Sequence, residues 1–184
     1  EKLLQDKDEV VIEFSEPEEK DDVPVVLRNN KCAQPVEGVI ESYSLPGQGE
    51  IDPSMVVACF YYVLFGLMLS DAAYGLIMIA GTAYCLTKYK NMEDGMRKCI
   101  KMFMYCGIST AFWGFMFGSF FGDAVNVIAT TFFNRPDIRL APIWFEPVSL
   151  PMKMLVFAFL IGIIHLFTGL GIKFYTCVRN GSLK

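Results

Sequence analysis

Hydrophobic residues form three long runs in the last two thirds of the chain. They cover residues 56–86, where Asp71 is the one charge, residues 102–122 and residues 154–172. At about 1.5 Å of rise per residue, the second and third runs are each long enough to cross about 30 Å of hydrocarbon. They predict two ordinary spanning helices. Between them, residues 123–151 contain four prolines and an aromatic pair, which predict a structured loop at headgroup level.

The first run is longer than one upright helix needs. As a straight helix it would extend roughly 46 Å and would have to tilt by roughly 50° to fit the hydrocarbon core. Asp71, near its middle, would then cost about 2.5–3.5 kcal/mol at the bilayer centre. A hairpin that turns at Ser70 and Asp71 would move the carboxylate to the opposite interface, where it could cap the second arm. Length alone is consistent with a protruding single helix or a short helical hairpin.

Basic residues are distributed unevenly among the loops. They are Lys88, Lys90, Arg97, Lys98 and Lys101 before the second run, Lys173, Arg179 and Lys184 after the third, and Arg135, Arg139 and Lys153 between these two runs. Basic segments favour the cytoplasmic side, so the second run is expected to lead outward and the third to return. Residues 1–52 are then cytoplasmic if the first run crosses the membrane twice, and external if it crosses once.

The first quarter of the chain is polar. Residues 8–14 are rich in β-branched side chains and bounded by polar positions, which predicts a short strand. Prolines and glycines from residue 21 onward favour an extended, turning linker. We therefore divide the chain into the end of a soluble arm with its linker, residues 1–52, and a membrane domain, residues 53–184. The expected membrane segments are 54–70, 72–88, 99–122 and 152–178.

The composition is that of a membrane protein rather than a soluble enzyme. Of 184 residues, 53% are hydrophobic and 20% are charged, and the mean hydropathy is +0.38. The first 22 residues hold ten acids against three bases, and this acidity gives no support to a nucleic-acid partner. The sequence shows no soluble catalytic motif, no cofactor motif and no metal-ligand spacing. The six cysteines lie far apart, and we expect them to be small buried hydrophobes in a reducing or lipid setting.

Several short motifs occur in a fixed order along the chain. They are VPVVLRNN at 23–30, YSLP at 43–46 with EIDP at 50–53, FGLMLSDAAYG at 65–75, FMFGSFFGD at 115–123, and MKML at 152–155 with GIIHLFTGLG at 162–171. Together they resemble subunit I of prokaryotic A/V-type ATPases, the counterpart of eukaryotic V-type ATPase subunit a. The resemblance covers the chain from about Val23 onward, but the chain corresponds to only a quarter to a third of such a subunit.

The resemblance implies a mainly α, polytopic membrane protein. A short helical hairpin and two full spanning helices would follow a small extended or β remnant of a soluble α/β arm. The resemblance also implies that the chain belongs to the non-catalytic membrane stator of a rotary proton or sodium pump. The stator would lie in the cell membrane, with its N-terminal part in the cytoplasm. The implied partners are the rotor ring of lipid-facing carboxylate subunits, the peripheral stalk subunits and the lipid bilayer.

The same resemblance limits what this chain can do. The family's essential arginine lies on a helix further along such a subunit, and no residue here matches it. A chain of this extent is therefore expected to support ion translocation without carrying it out alone. It also lacks an initiator Met, and we expect it to be a piece of a longer protein.

Two ionisable residues within the apolar runs are candidates for an ion path. Asp71 is an intramembrane carboxylate, which suggests an ion site, but the cap of a hairpin needs no such role. His165 could relay protons, but a neutral imidazole packed against a neighbouring helix is favoured. A secondary ion transporter or channel segment that uses Asp71 and His165 directly is therefore the alternative function, and a simple membrane anchor is a third.

Small residues suggest where helices pack. Gly114, Gly118 and Gly122 form consecutive GxxxG steps, with Gly107 two turns earlier, and this spacing predicts a packing face on the second spanning helix. The third spanning helix could provide the matching groove. Its candidate positions are Gly162 and Gly169.

Overall fold

A computed structural model describes residues 27–47, 50–133 and 141–179. Six helices follow one another: α1 (Glu37–Tyr43), α2 (Ser54–Leu69), α3 (Ala72–Lys88), α4 (Asp94–Phe117), α5 (Ala124–Phe132) and α6 (Pro151–Arg179). A single 3₁₀ turn, Gln34–Val36, leads into α1. No strand occurs within the described residues, and the strand predicted at residues 8–14 lies outside them.

The first apolar run is two helices rather than one. Helix α2 ends at Leu69 because Ser70 adopts a left-handed conformation with φ of 34°, and Asp71 is extended with φ of −129°. Two successive non-helical residues reverse the chain, and α3 begins at Ala72. The hairpin at Ser70 and Asp71 is therefore confirmed, and the single continuous helix is excluded.

Helix α4 packs along both arms of the hairpin, and glycines on the arms allow a close approach. A Cβ atom on Gly75 of α3 would lie 2.7 Å from the Cα of Ala111, and one on Gly66 of α2 would lie 2.7 Å from the carbonyl carbon of Ser109. Contacts this short involve the backbone of α4, which cannot move aside as a flexible side chain can. The three helices therefore form a tight bundle through small residues, as is typical of helix packing in lipid.

The segment before the hairpin is part of this bundle. Ala33 and Val36 are completely buried, and they share a core with Ala58, Met102 and Cys106 of α2 and α4. The prediction of an extended linker is wrong for residues 34–43, because burying these apolar side chains favours a helical turn followed by α1.

Helix α4 differs from the predicted segment at both ends. It begins five residues earlier, at Asp94, and ends at Phe117 because Gly118 has a left-handed φ of 69°. The amide of Ser119 donates to the carbonyl of Gly114 at 3.0 Å, a bond that closes many helix C-termini. The expected helix to residue 122 is therefore wrong. Helix α5 lies within the segment predicted as a loop.

Helix α6 runs alongside the bundle and is largely exposed. Its contacts include Phe157 against Trp113 of α4, with ring centroids 5.7 Å apart, and His165 against Phe60 of α2 at 4.7 Å. Helices α4 and α6 are both long and apolar enough to cross a membrane. This agrees with the two spanning helices predicted from the sequence, and α2 is a shorter apolar helix.

All six cysteines are free, but they do not share one environment. Cys106 is buried, whereas Cys32, Cys59 and Cys99 are exposed. The expectation of small buried hydrophobes in a reducing or lipid setting therefore holds for Cys106, whereas burial within the protein is wrong for Cys32, Cys59 and Cys99.

Candidate functional site

Two sharp turns meet at one end of the bundle. One is the hairpin turn between α2 and α3, and the other follows the end of α4. Four residues in these turns have positive φ: Ser70, Gly118, Phe121 and Gly122. Positive φ is unusual for residues with a side chain such as Ser70 and Phe121, so surrounding interactions must hold both turns in place.

The Asp71 carboxylate provides those interactions. Five groups donate hydrogen bonds to it: the amides of Ala73, Tyr74 and Phe121 to Oδ1, and the amide of Gly122 and the hydroxyl of Ser119 to Oδ2. The shortest is 2.8 Å, from Gly122. The first two donors belong to the first turn of α3, so Asp71 is the helix cap that the sequence predicted. The other three belong to the turn after α4, and sequence reasoning missed them.

The backbone reinforces the junction between the two turns. The amide of Ala72 donates to the carbonyl of Ser119 at 2.9 Å. Asp71 itself is only 6% exposed, and a buried carboxylate with several charge-assisted hydrogen bonds is stabilised in its ionised form. The arrangement can therefore fix the start of α3 against the end of α4.

A cavity of about 230 Å³ opens beside this junction. Its walls include three carboxylates, those of Asp71, Asp123 and Glu146. The Asp123 carboxylate accepts a hydrogen bond from the side chain of Asn126, and that of Glu146 accepts one from the hydroxyl of Ser149. The cavity thus combines acidic side chains with apolar walls, and each of its carboxylates accepts at least one hydrogen bond.

His165 has different surroundings. Its ring lies against Phe60 at a centroid separation of 4.7 Å and an interplanar angle of 36°. His165 does not line the cavity beside Asp71. The structure therefore does not bring the two ion-path candidates together in one cavity.

Of the six candidate packing glycines, two face another helix closely. A Cβ on Gly114 would lie 2.6 Å from the Cα of Ala72, and one on Gly107 would lie 3.2 Å from the carbonyl oxygen of Gly75. Their partner is α3, not the third apolar run. Gly66 and Gly75 supply the close approach on the hairpin side, and sequence reasoning missed both, although they lie within the motif at 65–75.

The other four glycines do not extend this helical face. Gly118 and Gly122 lie beyond the end of α4 with φ of 69° and 68°, so the consecutive GxxxG steps are not all helical. A Cβ on Gly118 would lie 2.9 Å from Pro142, so this position brings the loop close to the helix end. Within the described residues, a Cβ on Gly162 or Gly169 would meet nothing within 4 Å. A packing role for these two remains a prediction.

An aromatic cluster closes the same end of the bundle. The ring of Phe117 lies against Trp144 and Phe145, and Trp144 also meets Phe157 of α6 at 4.9 Å. The amide of Trp144 donates to the carbonyl of Met116 at 3.1 Å. The predicted aromatic loop is therefore packed onto the last turn of α4 rather than projecting from it.

The opposite end of the bundle is rich in basic residues. The Nζ of Lys98 near the start of α4 lies 2.7 Å from the carboxylate of Glu37, and the Nζ of Lys173 near the end of α6 lies 3.8 Å from that of Glu50. Since Glu50 shortly precedes α2, these pairs bring the starts of α2 and α4 and the end of α6 to one side.

The sequence is similar to a protein family and to several known relatives. Residues 2–141 match the V-type ATPase 116kDa subunit family. A-type ATP synthase subunit I of Thermococcus kodakarensis is 34% identical over 169 residues, which cover 91% of this chain. The protein of the same description from Methanocaldococcus jannaschii is 31% identical over 192 residues, covering 94% of this chain. V-type ATP synthase subunit I of Chlamydia trachomatis is 27% identical over 128 residues, covering 68% of it.

The matched region is a limited part of each relative. It covers 25% of the Thermococcus protein, 27% of the Methanocaldococcus protein and 20% of the Chlamydia protein. The chain thus spans about a quarter of the length of the relatives that it matches over most of its own length.

Proposed function

This chain belongs to the V-type ATPase 116kDa subunit family, and from that premise we propose that it is part of the membrane stator of a rotary A/V-type ATPase. The observation that carries the proposal is the match across most of the chain to proteins described as ATP synthase subunit I. Such a subunit works within a multi-subunit complex. The stator would hold the rotor ring and the peripheral stalks in register while protons or sodium ions cross.

The proposed contribution of this chain is structural. Residues 53–184 would form the first membrane segments of the stator, and residues 1–52 would end the cytoplasmic arm that reaches the peripheral stalks. The packing of Ala33 and Val36 against α2 and α4 supports a firm connection between these two parts. A firm connection is what a stator needs, because torque from the rotor has to be resisted without bending at the membrane surface.

The arrangement of helix ends supports a cytoplasmic N-terminal part. The Lys173–Glu50 and Lys98–Glu37 pairs gather helix ends on one side of the bundle. The basic residues of the segment between α3 and α4 lie on that side as well, and basic segments favour the cytoplasm. A hairpin that crosses twice would therefore leave α1 cytoplasmic and place Asp71 near the outer interface.

The surroundings of Asp71 favour the stator over a transporter that binds its ion at this carboxylate. All five donors to Asp71 come from the protein itself. An ion bound there would have to compete with the cap of α3 and with the turn after α4. A structural carboxylate accounts for this geometry without an ion.

Purification of the protein from its own membranes tests the proposal. The complete protein carrying this segment is tagged, extracted in mild detergent and analysed for co-purifying subunits. Ring and nucleotide-binding subunits should accompany it in constant ratio, and vesicles containing the complex should show ATP-driven ion uptake. A protonophore and a sodium ionophore then identify the ion. Recovery of the protein without ring or nucleotide-binding subunits would refute the stator function.

A further inference from the structure

The turn between α3 and α4 contains a cleft whose charged groups are all hydrogen-bond donors. The cleft has a volume of about 490 Å³ and is lined by residues 88–92: Lys88, Tyr89, Lys90, Asn91 and Met92. Its charged groups are the ammonium groups of Lys88 and Lys90, and no carboxylate lines it. Such a surface is suited to an anion with several oxygen acceptors.

Lys88 is held in position by aromatic neighbours. Its Nζ donates a hydrogen bond to the hydroxyl of Tyr84 at 2.8 Å. The same atom lies 5.8 Å from the ring centroid of Tyr89, within the range of cation–π attraction. One of three ammonium hydrogens is used in this bond, so two can still be donated. A side chain that is already positioned loses less conformational freedom when a ligand binds.

The charge around the cleft is positive. Residues 88–101 contain five bases and two acids. The acids, Glu93 and Asp94, lie where α4 begins and do not line the cleft. Among the bases, Lys98 is engaged by Glu37, whereas no ion pair engages Lys88 or Lys90 within the described residues. A net positive surface with unpaired lysines attracts anionic headgroups.

Two exposed tyrosines at the cleft favour a position at the membrane surface. Tyr84 and Tyr89 are 57% and 55% exposed, and they lie in the last turn of α3 and just beyond it. Tyrosine is enriched where the hydrocarbon core meets the headgroups, because its ring is apolar and its hydroxyl is polar. Lysines next to tyrosines in such a position would lie at the depth of lipid phosphates.

We propose that this cleft binds the phosphodiester headgroup of an anionic phospholipid in the cytoplasmic leaflet. The choice of leaflet rests on the orientation given under the proposed function. Lys88 and Lys90 bind the phosphate oxygens, Asn91 donates to the headgroup, and Met92 and the ring of Tyr89 contact the first carbons of the lipid. A bound lipid of this kind would anchor the α3–α4 turn to the leaflet.

Native mass spectrometry of the complex containing this protein provides the test. The complex is reconstituted into nanodiscs that contain phosphatidylglycerol and phosphatidylcholine, and its relative affinity for the two lipids is measured. The double variant Lys88→Gln/Lys90→Gln should lower the preference for phosphatidylglycerol by at least about 30-fold, since two charge-assisted ammonium–phosphate hydrogen bonds are lost. The control Arg97→Gln/Lys101→Gln removes two charges from the same end outside the cleft, and its effect should be much smaller.

Several results would overturn the lipid site. Equal losses in both double variants would mean that diffuse surface charge attracts the lipid. Displacement of the lipid by inorganic phosphate at the same concentration would mean that the cleft binds free phosphate. A photoreactive phosphatidylglycerol should crosslink to residues 84–92. A crosslinker at position 91 that captures an acidic protein segment instead of lipid would assign the cleft to a protein partner.

The lipid site and the proposed function can fail separately. In a cysteine-free background, Asn91→Cys should react with an impermeant thiol reagent from the cytoplasmic side only. Labelling from the outside would refute the orientation and the assignment to the cytoplasmic leaflet, whatever the lipid preference. The lipid site alone would be refuted by a different combination of results. Asn91→Cys would be labelled from the cytoplasm and the ring subunits would be retained, but Lys88→Gln/Lys90→Gln would show no loss of lipid preference.

Discussion

The ammonium group of Lys98 lies 2.7 Å from the carboxylate of Glu37, a residue that is only 5% exposed and 61 positions away in the sequence. This pair joins α1 to the first turns of α4. It lies beside the core that Ala33 and Val36 share with α2 and α4. The segment before the hairpin is therefore fixed to the bundle by apolar burial and by one ion pair.

Removal of Lys98 should destabilise this attachment. The substitution Lys98→Met leaves the buried Glu37 carboxylate without its partner, and an unpaired buried polar group costs roughly 1–3 kcal/mol. The substitution Glu37→Gln in the same protein should recover part of the loss, because the buried group is then neutral. Thermal unfolding of the detergent-solubilised protein measures both effects. If Lys101→Met on the same helix lowers stability as much as Lys98→Met does, the pair has no special role.

Replacement of Asp71 should be more damaging than replacement of the other acids around the same cavity. Asp71→Ala removes the cap of α3 and leaves the amides of Phe121 and Gly122 without their acceptor, and the lost cap and hydrogen bonds together cost roughly 2–4 kcal/mol. Asp71→Asn should lie in between, because the amide retains one acceptor oxygen. Assembly of the complex and its thermal midpoint are the readouts.

The matched control for Asp71 is Asp123→Asn, in the turn that Asp71 closes. Asp123 is exposed and its carboxylate accepts from Asn126, so this variant should assemble almost normally. A fully assembled Asp71→Asn complex that transports no ions would contradict the structural role and favour the transporter alternative.

Two glycines of α3 should respond oppositely to the same substitution. Gly75→Ala places a methyl group against the backbone of Ala111, with 2.7 Å to its Cα, so α3 and α4 have to separate. Gly81→Ala adds the same methyl group where nothing lies within 4 Å, and alanine favours a helix over glycine by about 1 kcal/mol. We expect a lower unfolding midpoint for the first variant and an equal or higher one for the second. Equal midpoints would contradict the close packing of α3 on α4.

The sequence predicts the hairpin and its cap because both depend on neighbouring residues. A carboxylate in the middle of an overlong apolar run is costly inside one helix, and Asp71 followed by good helix formers is a recognisable helix start. The second set of donors to Asp71 could not be predicted in this way. The amides of Phe121 and Gly122 lie 50 and 51 positions away, and they reach Asp71 only because α4 stops at Phe117.

The end of α4 and the helix α1 were missed for related reasons. Residues 102–122 contain no charge or proline, so nothing local distinguishes Gly118 as a helix end from Gly114 as a packing position. Ala33 and Val36 are isolated apolar residues on either side of Pro35. Their complete burial arises from contact with α2 and α4, which a local pattern does not contain.

Substitutions of His165 can distinguish a packing role of its ring from a role in proton relay. If its ring acts by lying against Phe60, His165→Phe should keep the contact and preserve most ATP-driven ion uptake, whereas His165→Ala should reduce assembly. A proton relay requires a titratable group, so loss of uptake in a fully assembled His165→Phe complex would show that the imidazole takes part in transport. Vesicle uptake, normalised to assembled complex, separates these outcomes.

The starts of α2 and α4 and the end of α6 lie at one end of the bundle. This arrangement predicts which positions of the chain are on the same side of the membrane. In a cysteine-free background, Ser44→Cys and Asn91→Cys should react with an impermeant thiol reagent only from the cytoplasm, because the start of α2 and the turn after α3 lie at the same end of the bundle. Ser149→Cys, close to the start of α6, should react only from outside. If α2 and α3 together crossed only once, Ser44 would be labelled from the side opposite to Asn91. Labelling of Ser44 and Asn91 from the same side, opposite to Ser149, is therefore the pattern required by a hairpin that crosses the membrane twice.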